Sequence, residues 1–223
     1  MRIDLRELAE ETRDTPWDLA NQVLYELCRD HRGHDSDQAV YAKILLIGRS
    51  HAAAIERRSE DGKGPKVPND EFYERIVVPA IRKSRIDRWI KEAAATPGIN
   101  PESLPVLLSV HAKVTRLFAS ISGKNKRSLA SKYLHFHLPN HFFFYDARAV
   151  QALGFLKDVI GKRLMVTPNA RYDTEYERLV RKCLMLLDEA RRLRVAPLTP
   201  RHVDNLLLRV HADEMKRRAR GKR

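Results

Sequence analysis

Apolar residues recur at steps of three and four along nearly every segment of this chain, and no convincing run alternates apolar with polar residues. A helix brings a side chain back to the same face every three or four residues, a strand every two, so this spacing predicts an all-α fold. About nine helices are expected, and no repeat of 20 to 50 residues is visible. Thr15-Pro16-Trp17-Asp18 reads as a capping box with proline in the first turn, and Leu19, Val23, Leu24 and Leu27 follow on one stripe, predicting a helix over about 16–31. A second helix is expected over about 35–58, with Ala39, Ile44, Leu45 and Ile47 inside, until "SEDGKGPKVPND" breaks it. Asn69 is the expected cap of a third, kinked near its end by Pro79. The pattern from Ser84 to Asp87 starts a short one that stops at Thr96-Pro97-Gly98, and the next covers about 102–120. Another runs from near Arg127 to before Pro139, and one starts from Asp146 as its N-cap. Helices over about 172–193 and 200–216 follow, and residues 215–223, "MKRRARGKR", read as a solvated basic tail.

A chain of 223 residues fits a single domain, here expected as two intimate lobes, and can bury roughly 70% of its unfolded surface without a staple. Its 42 Lys and Arg against 29 Asp and Glu give a formal charge of +13, an excess that points to a polyanionic partner, nucleic acid above all. Cys28 and Cys183 sit on apolar helical faces and read as reduced, buried thiols. With a charged N-terminus and no apolar run approaching a membrane span, a cytoplasmic protein that does not enter membranes is expected. No cofactor is implied.

The stretch "KRSLASKYLHFHLPNHFFFYDARA", Lys126 to Ala149, holds six of the sixteen aromatic residues. His135 and His137 would lie on opposite sides of a helix, and with His141 they find no acidic or cysteine partner at ligand spacing, so no metal is expected. Leu129, Tyr133 and Phe136 share a helical stripe, which favours core packing over base stacking. Upstream, "FASISGKNKRSLASKYLHFH" is laid out as helix, glycine turn, helix. That layout is either a plain surface turn or a hairpin that aims free N–H groups and the cations Lys124, Lys126 and Arg127 at phosphate.

This stretch resembles the helix-hairpin-helix segment of DNA glycosylases, particularly the bifunctional N-glycosylase/DNA lyases that include the 8-oxoguanine enzymes. In that family a glycine hairpin precedes a catalytic lysine, and about twenty residues later an apolar run leads into a catalytic aspartate at the head of a helix. The resemblance places Lys126 as nucleophile, with Lys124 as the alternative register, and Asp146 as its electrostatic partner. It implies a nucleic-acid surface of Ser122, Gly123, Lys124, Asn125, Arg127, Lys132 and Arg148 on double-stranded DNA, within a hairpin segment of about 111–146. Two departures stand out. Gly123 is alone where the family has Gly-x-Gly, and Tyr145-Asp146 is followed by Arg148 where the family often has Val-Asp and then histidine.

The chemistry suits these residue types. An attacking lysine must be partly neutral, which burial beside other cations favours, and a carboxylate at a helix start stays ionised to stabilise the cationic sugar. The flipped base needs a pocket. Arg49, His51 and Glu56 in "GRSHAAAIERR", with Tyr73, are candidates to build it, although a salt-bridged helix end explains the charged residues equally well. The stretch "SLASKYLHFH…YDARA" is also similar to uncharacterised bacterial proteins and to glycosylase-like accessory proteins of anti-phage operons. The readings that follow are an N-glycosylase with lyase activity, a non-catalytic module that grips nucleic acid through the hairpin, and an all-α interaction protein meeting an acidic partner, for instance in anti-phage defence.

Overall fold

A computed structural model describes residues 4–57, 67–161, 166–167 and 169–221, and among these every regular element is helical. In chain order they are α1 (Leu5–Glu11), α2 (Asp18–Asp30), α3 (Asp37–Ser50), α4 (Asn69–Phe72), a π-helical turn (Tyr73–Val77), α5 (Val78–Lys83), α6 (Ile86–Ala94), α7 (Leu104–Ser122), α8 (Arg127–His137), α9 (Ala147–Phe155), α10 (Lys157–Ile160), α11 (Thr174–Arg192) and α12 (Pro200–Arg220). The nine expected helices are present, α4, the π turn and α5 forming one continuous run, and α1 and the single-turn α10 are additional.

Local signals set most boundaries. Ser36, Asp146, Asp173 and Thr199 each accept a backbone N–H at the start of α3, α9, α11 and α12, as N-caps should. Gly123 ends α7 in the left-handed conformation at φ 71°, which a residue without Cβ adopts at little cost. Pro79 has no N–H to give, and the kink it predicts is taken up just before it, where Val78 N–H reaches Tyr73 O five residues back.

Three boundaries or faces differ from expectation. Helix α2 is regular only from Asp18, although the return bond of the expected capping box is present: the Asp18 carboxylate accepts from Thr15 N–H at 2.6 Å, and also takes the Thr15 hydroxyl at 3.0 Å, which is thereby spent as a donor. Its apolar stripe is also turned. Leu24 and Cys28 are buried while Leu19 is 79% and Val23 55% exposed, since Tyr25 is held inward by a 2.7 Å hydrogen bond to His135 and by the Phe136 ring. Helix α3 stops at Ser50 rather than near Arg58, which lies outside the described residues; Ala52 turns left-handed at φ 53° and Ala53 N–H returns to Gly48 O. The tail is not free either. Residues to Arg220 continue α12, with Arg218 paired to Glu214 and stacked over Phe155, while 222–223 fall outside the described residues.

Helix α8 is the hub, packing against α7, α3 and α2. Every residue from Leu129 to Phe136 is buried, so the aromatic stretch is core, and Phe142, Phe143 and Phe144 close over it as extended chain without a strand partner. One continuous cluster of buried residues runs from Leu5 to Val210. Helix α7 is long and apolar enough to cross a membrane by length and composition, contrary to the expectation, yet its apolar positions Leu107, Val110, Val114 and Phe118 belong to that cluster. A helix surrounded on all sides must satisfy its polar groups internally, and α8 does so for most of them, His137 Nε2 at its end being the exception. Tyr133 hydroxyl meets His34 Nε2 at 2.6 Å, His34 Nδ1 meets Asp87 at 2.5 Å, and Ser131 accepts from Tyr145 N–H at 2.8 Å.

Candidate active site

Two buried lysines leave α8 from its N-terminal half, and they go to different places. Lys126 occupies the N-cap position and is only 7% exposed. Its Nζ donates to Ala54 O at 2.8 Å and Arg57 O at 2.7 Å, the irregular segment after α3. Gly48 allows that segment to lie close, since a Cβ there would stand 3.2 Å from Ala54 Cα. Burial, reinforced by Lys124, lowers the Lys126 amine to about 8. The charges that act on it are Lys124, Glu56 and Arg57, and the expected pairing with Asp146 is not formed.

The ammonium beside Asp146 belongs to Lys132. Its Nζ forms an ion pair with Asp146 Oδ2 at 3.7 Å and donates to His51 O and Ser128 Oγ at 3.0 Å each. Burial depresses the Lys132 amine, against the opposing pull of the Asp146 and Asp204 carboxylates. Burial alone would raise the Asp146 carboxyl, but hydrogen bonds from the Arg148 side chain and backbone and the charge of Lys132 hold it below the usual carboxylate range. Asp146 Oδ1 accepts from Arg148 N–H at 2.8 Å and Nε at 3.1 Å. The result is a layered site: Arg148 outermost and 59% exposed, Asp146 20% exposed, and Lys132 beneath.

Around this pair the walls are aromatic and charged. The His51 ring sits between Phe136 and Phe144, and burial, with Lys132 and Arg201 nearby, lowers it to about 3, so it is neutral. The first turn of α12 adds Arg201 and Asp204, paired at 2.5 Å; burial pushes Asp204 up to about 6 despite Arg201. Sequence reasoning missed both. Their signal, an arginine and an aspartate three apart in a leucine-rich helix start, is common to ordinary capped helices.

The remaining predicted pocket residues stand apart from His51. Tyr73 hydroxyl and Arg49 Nε, the latter at 2.9 Å, both donate to the Glu56 carboxylate, which acts on Lys126 rather than on Asp146. This is the salt-bridged helix end.

The predicted nucleic-acid surface is thinned in the same way. Ser122 is buried against Phe118 O, Lys132 is interior, and Arg127 is committed to Asp173 at 2.6 Å and to the Tyr145 ring. Asn125 accepts the Arg127 N–H at 2.9 Å and so caps α8 itself. Gly123, Lys124, Asn125 and Arg148 are the members left exposed.

The three clustered histidines diverge. His135 binds Tyr25 and Phe142 O, His137 stacks on His34, and His141 reaches Thr96 O. Among the described residues no group of three or more His, Cys, Asp or Glu side chains is placed to hold a metal.

Fold and site thus define an all-α protein in which a buried lysine is paired with a half-buried aspartate at the head of a helix. No family model matches the sequence, no curated protein matches it, and no solved structure matches the fold.

Proposed function

We propose that the chain is a helix-hairpin-helix N-glycosylase with lyase activity on nucleic acid, in which Lys132 is the nucleophile and Asp146 its electrostatic partner. The observation that carries this reading is the 3.7 Å approach of the Lys132 amine to Asp146 at the head of α9. A carboxylate within about 4–6 Å tunes an amine and stabilises a developing sugar cation. Here it also keeps its charge, because the helix start and Arg148 favour the ionised form. A phosphate meets Arg148 first and the sugar then faces Asp146. The Lys132 ammonium first gives one proton to solvent; the freed amine forms the N–C1′ bond as the glycosidic bond breaks, and the departing base takes the electron pair and then a proton from the newly bonded, positively charged nitrogen. To reach the sugar, Lys132 leaves Ser128 Oγ and the His51 carbonyl. Lys126 anchors the hairpin.

Borohydride trapping on DNA carrying abasic sites and a panel of damaged bases tests the assignment, with folding of each variant checked by circular dichroism. The expected result is a covalent adduct lost in Lys132→Ala, reduced in Asp146→Asn and kept in Lys126→Met. An adduct that vanishes only with Lys126→Met assigns the nucleophile to Lys126 instead. A second reading is supported by the internal hydrogen bonds that already hold both amines, Lys126 on the Ala54 and Arg57 carbonyls and Lys132 on the His51 carbonyl and Ser128 Oγ: a binding module without chemistry. It predicts no adduct on any substrate together with DNA affinity that falls by roughly one log unit per log of salt for each phosphate neutralised.

A further inference from the structure

Away from the lysine–aspartate pair, a cleft of about 540 Å³ opens between α6 and α7. It is lined by Arg85, Arg88, Trp89, Lys91 and Glu92 from α6 and its first flank, and by Lys113 from α7. Positions 85, 88, 89 and 92 recur at helical steps of three and four, so these side chains share one face of α6. Lys113 and Glu92 neutralise each other at 3.0 Å. The side chains of Arg85, Arg88 and Lys91 are exposed and make no hydrogen bond or ion pair among the described residues, which leaves three uncompensated positive charges around one cleft. Trp89 is half-buried, packed against the core and lining the cleft at once.

Three unmatched cations could be a solvated face. What separates this surface from one is the tryptophan. An indole anchored on the core presents a rigid aromatic surface that costs little side-chain entropy to use, and guanidinium groups beside it match phosphate oxygens in two-point geometry. We infer that this cleft is a binding site for a nucleotide unit, with the base against Trp89 and the phosphate on Arg85, Arg88 and Lys91. The unit is either a free nucleotide or one residue of a single strand. The site shares no residue with the Lys132–Asp146 pair and stands independently of the glycosylase reading.

The chain has two tryptophans, and Trp17 is 69% exposed, so Trp17→Phe leaves Trp89 as the sole indole reporter. In the full-length Trp17→Phe protein, adenosine triphosphate and a short oligothymidylate are titrated separately while Trp89 emission is followed, with tripolyphosphate as the base-free control. Quenching by either nucleotide ligand is expected, and the ligand that quenches identifies the source. Arg85→Glu with Arg88→Glu should weaken binding by at least tenfold. In the otherwise wild-type chain, with binding read by anisotropy of a labelled ligand, Trp89→Leu should weaken it about tenfold, the scale of one lost base stack. For the oligonucleotide, the salt slope should drop by about 0.7 for each phosphate contact removed. Lys132→Ala should bind normally. Unchanged Trp89 emission at millimolar concentrations of both ligands overturns the proposal. So does tripolyphosphate binding as tightly as the nucleotide, or binding insensitive to charge reversal at positions 85 and 88.

Discussion

The buried amine of Lys126 makes a prediction that can be worked from its contacts. An ordinary lysine holds its proton to 10.5, whereas burial and Lys124 bring this one to about 8. A neutral amine still carries two N–H donors, and two acceptors await them, Ala54 O at 2.8 Å and Arg57 O at 2.7 Å. Deprotonation therefore removes a desolvated charge without breaking either bond. Between pH 8 and 10.5 the unfolded chain binds the proton and the native one does not, so native stability rises with pH across that window. The ceiling is about 3.4 kcal/mol, at ~1.36 kcal/mol per decade of proton affinity. Residual solvent contact at the hairpin should reduce this to about 2 kcal/mol. Lys126→Met removes the titration while roughly keeping the length of the side chain. Urea unfolding of both proteins from pH 7.5 to 10.5 cancels the tyrosines and thiols they share, and the wild type should gain on the variant as pH rises. Parallel stability curves would refute the buried-amine account.

Other perturbations follow from the same contacts. Asp146→Ala removes the α9 cap and strands the buried Lys132 charge, for an expected loss of about 3–5 kcal/mol in denaturant unfolding, whereas Asp146→Asn keeps a capping oxygen and should lose clearly less. Gly123→Ala forces a Cβ into φ 71° and should cost about 1 kcal/mol, read as a shift in urea midpoint at constant slope. Tyr133→Phe leaves His34 Nε2 without its partner in the core and should cost about 1–3 kcal/mol, visible in thermal unfolding. Asp204 titrates at about 6 in the native state against 3.8 in the unfolded one, so the native carboxyl keeps its proton longer and stability falls as pH rises from 3.8 through 6. Asp204→Asn should abolish that slope, worth ~3 kcal/mol at most, in a pH series of unfolding curves.

The features that sequence reasoning located are those determined within a few residues. Ser36, Asp146 and Thr199 cap their helices by contacts three positions long or shorter, and Gly123 closes a turn through its own φ angle. What escaped is determined across the fold. The segment "AAAIERR" favours helix locally, but Lys126 draws the Ala54 and Arg57 carbonyls out of it from 72 and 69 residues away, and Glu56 is held by Tyr73. The inward face of α2 turns on a bond from Tyr25 to His135, 110 residues distant, and Leu19 and Val23 carry no mark of that choice. At the site, Asp146 was legible as a cap and its lysine was not, because proximity to the hairpin favoured Lys126. The available signal was a charge embedded in an apolar run: Lys132 stands among Leu129, Ala130, Tyr133 and Leu134, and a buried ammonium there has to find an acceptor.

The π turn at Tyr73–Val77 gives the run over 69–83 one residue more than an α-helix of the same rise would use. A single-codon deletion inside that turn is therefore a natural experiment in register. It would let the helix wind regularly and turn Tyr73 by about 100° relative to the α5 segment, separating the phenol from Glu56 or Val78 and Ile81 from the core. An inserted residue, usually a defect in a helix, is here what lets one face meet two partners.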